Sequence, residues 1–109
     1  NDLDIAATSI AQNLRRAQAL AQAGDGDTSW GLRVGVGSIL VYKGASYMLR
    51  DSTFDENTSI PTTIVPSGIT EVTFEKVSGL PQTTGTFTLT SQANEIRNVT
   101  INKKGMVEY

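Results

Sequence analysis

Two hydrophobic periodicities divide this chain near residue 24. Over residues 3–23 the apolar positions Leu3, Ala6, Ala7, Ile10, Leu14, Ala17 and Ala21 recur at alternating three- and four-residue spacing, which puts them on one stripe of an α-helix. Such a stripe requires a partner surface. Asp2 and Asp4 lie near the positive end of the helix dipole, Arg15 and Arg16 lie toward its negative end, and Gly24 supplies a stop. Asn1 can serve as the N-cap. A helix this regular from its first turn is nevertheless expected to continue upstream of Asn1.

Beyond the polar stretch Asp25, Gly26, Asp27, Thr28, Ser29 the period changes to two. Trp30, Leu32, Val34 and Val36 alternate with Gly31, Arg33 and Gly35, predicting a strand with one buried face and bare backbone on the other. Gly37 and Ser38 mark a turn. Residues 39–42 and 47–50, joined through Lys43, Gly44 and Ala45, read as a hairpin, and 51–59 as a polar loop. Residues 60–65, interrupted by Pro61 and ended by Pro66, read as an edge strand or an extended connection. Residues 71–75 alternate around Val72 and Phe74. Phe87 and Leu89 alternate with Thr86, Thr88 and Thr90, and a last hairpin joins 96–102 to 106–109 through Lys103, Lys104 and Gly105.

One helix followed by consecutive hairpins predicts an α+β fold: a long N-terminal amphipathic helix packed on a mostly antiparallel sheet. A chain of 109 residues reads as one domain over 1–109, with 1–24 the helix and 25–109 the β-rich part. The net charge of -2 is small and both signs are scattered, so no strong field draws nucleic acid or anionic lipid. The chain has no cysteine and no histidine. That removes disulfides, thiolate chemistry, the commonest general base and the commonest metal ligand together, so an enzyme is not expected. No run reaches the eighteen or so apolar residues of a membrane span, and any anchoring segment is expected to precede Asn1.

Candidate chemistry is sparse. Asp25, Asp27 and Ser29 place oxygens at alternate positions as a calcium loop does, but the sixth position is Trp30 rather than Gly and the twelfth is Val36 rather than Glu. A helix-exit turn is the better reading. Gly35-Val36-Gly37 lacks the third glycine and the helix of a dinucleotide loop. Asp51, Asp55 and Glu56 share one polar loop and read as solvated rather than catalytic. Asn57-Thr58-Ser59 and Asn98-Val99-Thr100 fit the glycosylation pattern, which matters only in a host that glycosylates. Lys103 and Lys104, with Arg33 and Lys43 and an aromatic at Tyr42 or Tyr109, form a minimal basic set for single-stranded nucleic acid, against which a solvated hairpin tip is the simpler reading. Trp30 reads as core under the end of the helix. No catalytic, metal or cofactor site is expected. Ile5 points almost opposite the apolar stripe, where a helix covered on one side should be polar.

Several segments together resemble the type IV pilin superfamily, and within it the H-type minor pseudopilins and FimT/FimU-like minor pilins. They are the helix run Leu14-Arg15-Arg16-Ala17-Gln18-Ala19-Leu20-Ala21, the strand start Trp30-Gly31-Leu32, and the closing order Val72-Thr73-Phe74 before Gly79, Thr86-Phe87-Thr88-Leu89, and Val99-Thr100-Ile101-Asn102 before Gly105-Met106-Val107. The resemblance implies a non-enzymatic minor subunit of a cell-envelope filament, either the pseudopilus of type II secretion or a type IV pilus. It also implies an upstream apolar helix that is processed by a prepilin peptidase, anchors the subunit in the inner membrane and later packs in the filament core. On that reading Leu3, Ile10, Leu14, Ala17, Ala21 and Trp30 form the helix–sheet core, and Ile5, Gln12 and Arg16 face other pilin or pseudopilin subunits. No small-molecule substrate or cofactor is implied. Some FimT-like relatives bind DNA for uptake, which would involve Lys103 and Lys104; with a net negative chain, nucleic acid is not an expected partner.

Overall fold

The computed structural model describes residues 2–24 and 27–109; the cap expected at Asn1 and the loop positions Asp25 and Gly26 lie outside them. Helix α1 (Asp2–Gln22) is followed by β1 (Trp30–Gly35), β2 (Ser38–Lys43), β3 (Glu56–Ser59), β4 (Val65–Gly68), β5 (Glu71–Phe74), β6 (Gly85–Thr90), β7 (Ile96–Ile101) and β8 (Val107–Glu108). All pairings are antiparallel. The α+β architecture is therefore the expected one, with its strands divided between two four-stranded sheets of order β3-β2-β1-β5 and β4-β6-β7-β8. Helix α1 packs on strands of both.

Alanine makes this double packing possible. Ala6, Ala7, Ala11, Ala17 and Ala21 are fully buried, and with only a methyl each they let the helix axis settle close to both sheets. The longer Leu3, Ile10 and Leu14 reach between them into one cluster with Trp30 and the inward residues of each sheet. In the first sheet Val41, Leu32 and Val72 pair across three strands and form one apolar row; in the second, Phe87 pairs with Val99. At the C-terminal end Gly24 stands at φ +66° and its N–H donates to Ala21 O, the left-handed stop that glycine permits.

Four segments differ from the sequence expectation. Residues 47–50 are not a strand. Their backbone closes local turns, Leu49 N–H donating to Ser46 O and Arg50 N–H to Tyr47 O, and the edge of β2 pairs instead with β3, from the stretch expected to be a loop. Of the two forms expected for residues 60–65, residues 60–64 make a connection with a turn rather than an edge strand, Ile60 and Ile64 being buried and Ile64 N–H donating to Pro61 O, and the strand begins only at Val65. Strand β4 then runs through Pro66 rather than stopping at it. It is an edge strand, where the missing proline N–H costs no ladder bond. Finally, Val36 is not on the buried face of β1. It stands in the β1–β2 turn, 64% exposed.

Candidate assembly surface

Side chains that fix α1 to the sheets decide which part of it remains outward. At its start Asp4 is paired with Arg97 of β7, and the Thr63 hydroxyl donates to Asp2 at 2.7 Å. Midway, Arg16 makes a two-pronged contact with Glu56 of β3, Nε to Oε1 at 2.5 Å and Nη2 to Oε2 at 2.7 Å. The Arg16 hydrogen bond holds the Glu56 carboxyl below the ordinary glutamate range despite partial burial, and the same bond raises Arg16. Near its end Gln18 Nε2 donates to Gly79 O at 2.9 Å, and Val77 N–H donates to Ala21 O at 2.8 Å.

Of the three residues expected to face neighbouring subunits, all are exposed, yet they are not equivalent. Ile5 is 53% exposed and Gln12 faces solvent. Arg16 is exposed but already committed to Glu56. No sequence signal marked that pair, because β3 carries no apolar residue to announce itself as a strand. Leu3, Ile10, Leu14, Ala17, Ala21 and Trp30 are all buried.

The face of the first sheet turned away from α1 carries a network that sequence reasoning missed. The Tyr42 ring lies over Gly31, with its hydroxyl 2.5 Å from Thr73 Oγ1 and donating to Glu71 at 3.3 Å. Burial pushes the phenol well above the ordinary tyrosine range, and the neighbouring Glu71 charge adds to the shift. The guanidinium groups of Arg33 and Arg50 sit 4.4 and 4.1 Å from the centre of the Tyr47 ring. Tyr47 N–H donates to Glu71, and Arg50 is paired with Asp55. Residues 44–55 are thereby braced against the sheet, while Met48 and Leu49 at the tip remain 85% and 74% exposed. An open cleft of about 230 Å³ lies beside Arg33, Leu40, Tyr47 and Asn57, and another of about 250 Å³ beside Asp2, Thr63, Gln92 and Glu95.

The remaining sequence candidates are dispersed. Asp51 caps the short turn Ser52–Phe54 by accepting from Thr53, while Asp55 and Glu56 serve different arginines. Asp27 pairs with Lys76, and among the described residues no group of three ligands converges on a metal position. Gly35, Val36 and Gly37 end one strand and turn into the next, with no helix following. Asn57 and Asn98 are exposed on β3 and β7. The basic set does not assemble around Tyr42, which is buried: Arg33 is with Glu71 and Tyr47, Lys43 lies 3.8 Å over Phe54, and Lys103 and Lys104 stand exposed on the β7–β8 turn. Tyr109 instead has Arg15 and Arg97 each 5.9 Å from its ring.

No protein-family model matches the sequence, and no curated protein matches it. Among solved structures the chain is similar to the minor pseudopilin EpsH from the Type 2 Secretion System of Vibrio cholerae. The TM-score is 0.70, covering 99% of this chain and 95% of that one at 15% sequence identity. The fold is thus pilin-like, as it is in that minor pseudopilin.

Proposed function

We propose that this chain is the globular part of a minor pseudopilin: a structural, non-enzymatic subunit that acts by docking against other pilin-fold subunits in a cell-envelope filament. The observation that carries the proposal is the end-to-end likeness of its fold to a type II secretion pseudopilin. The outward strip of α1 supports it. Ile5 is an apolar side chain displayed where a solvent-facing helix has no use for one, and Gln12, two turns further on, faces the same surroundings without a charge to desolvate. In this reading the filament is the pseudopilus of type II secretion or a type IV pilus.

No helix among the described residues is long and apolar enough to cross a membrane. As the pilin resemblance implies, the proposal includes an apolar helical segment upstream of Asn1 that holds the subunit in the inner membrane before assembly. Deleting the gene in its own host is expected to abolish export of type II substrates or the assembly of pili, and complementation with Ile5→Lys is expected to fail although the protein accumulates normally. Unchanged export and piliation in the deletion strain would overturn the proposal, as would an upstream reading frame with no apolar segment.

Tyr109 beside Arg15 and Arg97, with Lys103 and Lys104 exposed, favours a second reading in which the subunit holds DNA or another anionic polymer. Gel retardation that weakens steeply with salt and disappears in Lys103→Ala/Lys104→Ala is its expected signature.

A further inference from the structure

The two sheets end on four outer strands, β3, β5, β4 and β8, and three of these are guarded. Strand β4 carries Pro66, which has no N–H to offer a neighbour. The outer side of β5 is covered by residues 80–82: Gln82 N–H donates to Thr73 O at 2.8 Å and Glu75 N–H to Leu80 O at 2.9 Å. Strand β8 is two residues long. Strand β3 has none of these devices. It runs for four residues without proline, lysine or a break in register, and its one charge, Glu56, is already held by Arg16 of its own helix. An unguarded edge of this kind is a template for another strand.

Hydrogen-bond parity shows which groups the edge offers. Gly35 and Ser38 close the β1–β2 hairpin across a two-residue turn and so bond to each other, which turns the backbone of Ile39 and Val41 the other way, toward β3. Ile60 N–H, donating to Gly37 O at 3.0 Å, obeys the same parity. On β3 the bonded residues are therefore Thr58 and Glu56, opposite Ile39 and Val41. Asn57 and Ser59 turn both N–H and C=O outward. Both residues are exposed, and among the described residues none takes these backbone groups.

From this we infer that β3 is a self-pairing edge: β3 of a second copy of this chain docks on it antiparallel, about a two-fold axis at Thr58, joining two β3-β2-β1-β5 sheets into one. The outward groups dictate that register. With Thr58 opposite its own counterpart, each Asn57 faces the other copy's Ser59, and the resulting ladder bonds use every outward N–H and C=O of both strands. The side chains agree with it. On the outer face the Asn57 amide meets a Ser59 hydroxyl, and on the inner face threonine meets threonine, both favourable cross-strand pairs. Glu56 falls opposite Ile60 rather than another carboxylate, so no like charges face each other. Backbone bonds alone accept any extended strand; the match of side chains and charge about a single axis selects a second copy.

The contact is isologous and closes at two copies. A strand pair this short buries well under the roughly 800 Å² per partner of a stable complex, so a Kd near about 1 mM is expected between separate domains. It goes beyond the proposed function and uses a sheet edge, not the apolar Ile5 position on α1.

The chain has no cysteine, so single cysteines read the register. Across the two-fold axis the Thr58 positions form a non-hydrogen-bonded pair, about 4.5 Å between Cα atoms and within disulfide reach, whereas the Asn57 positions are diagonal at about 7 to 8 Å. Thr58→Cys is therefore expected to give several-fold more disulfide-linked dimer than Asn57→Cys on mild oxidation at about 1 mM. In the unmodified protein, amide exchange at Asn57 and Ser59 is expected to slow about two-fold between dilute solution and about 1 mM, while Ile60, bonded within the subunit, stays unchanged. Ser59→Pro deletes an outward N–H without touching the β2–β3 ladder; it should keep its Tm and lose the concentration dependence at Asn57. Equal dimer from both cysteines, or amide exchange that ignores concentration, would overturn the inference. That result would leave the filament proposal standing, since the deletion and Ile5→Lys experiments test it separately.

Discussion

Gly31→Ala is expected to be among the most damaging single-methyl changes in this protein. Gly31 pairs with Tyr42 on one side and Thr73 on the other, and the Tyr42 ring crosses directly above it to reach Thr73. A Cβ built at Gly31 falls 2.4 Å from Tyr42 Cζ and Oη and 2.6 Å from Val72 O. The ring can swing away; the carbonyl belongs to strand β5 and cannot. Displacing Tyr42 removes its buried ring, worth about 2 kcal/mol, and its hydroxyl contacts, about 1 kcal/mol. Forcing β1 from β5 adds about 1 kcal/mol or more, and the stiffer unfolded chain returns about 0.5 to 1 kcal/mol. The expected net loss is about 3 kcal/mol, read as a lower urea midpoint, or as about 12 to 20 °C in Tm. A second readout isolates the cause: the Tyr42 phenol, held above the ordinary range by burial, should titrate at a lower pH in Gly31→Ala when followed by alkaline difference absorbance. Tyr42→Phe in the same background should then add little, because the hydroxyl has already lost its partners. If Gly31→Ala unfolds within about 0.5 kcal/mol of the parent and Tyr42 titrates unchanged, the packing of Tyr42 on a bare backbone is refuted.

Leu14, fully buried between the sheets, should cost about 2 to 5 kcal/mol as Leu14→Ala, and a loss near zero by urea unfolding would contradict its place in the core. Val77→Gly relieves the positive φ and should raise stability by about 1 kcal/mol after the entropy cost of glycine; a lower Tm would show that the turn is not strained. Tyr42 has its folded pKa raised above the unfolded value, so its contribution is complete below about pH 10 and is lost as pH rises from there; Tyr42→Phe should flatten that alkaline decline. Glu56 is shifted the other way by Arg16, so its contribution is present above about pH 4.3 and is lost as pH falls toward its folded value. Glu56→Gln should reduce the acid-side slope of stability with a small effect at neutral pH, as expected of an exposed pair.

What was legible in the sequence follows from which residues carry a period. The helix declared itself because its buried positions are apolar at helical spacing, and β6 because Phe87 and Leu89 alternate with threonines. Strand β3 is invisible on those grounds: Glu56, Asn57, Thr58 and Ser59 are all polar, and only contacts from α1 give Glu56 and Thr58 an inward side. Residues 47–50 failed in the opposite direction. Tyr47, Met48 and Leu49 look like a strand, but the Tyr47 ring is claimed by two guanidiniums from 14 and 3 positions away in sequence, and local turns satisfy the backbone. Cation–π brackets of that kind depend on which strand faces which loop, and no period encodes them.

The surface divides along the same line. Ile5 could be singled out from a helical wheel, because a helix has a defined back. Val36, Val65, Ile96 and Val77 could not, because each stands in or beside a turn, where exposure is decided by topology rather than by alternation. Val36 shows this most directly: it continues the parity of Trp30, Leu32 and Val34, yet the chain reverses at Gly37, φ +80°, and the parity ends one residue earlier. The shift from buried row to displayed side chain costs the fold nothing at Val36, where φ is unexceptional, and does cost at Val77. Val36→Ala should therefore leave the urea midpoint unchanged, while Val77→Gly should raise it; a Val36→Ala loss as large as that of a core truncation would show that Val36 is packed rather than displayed.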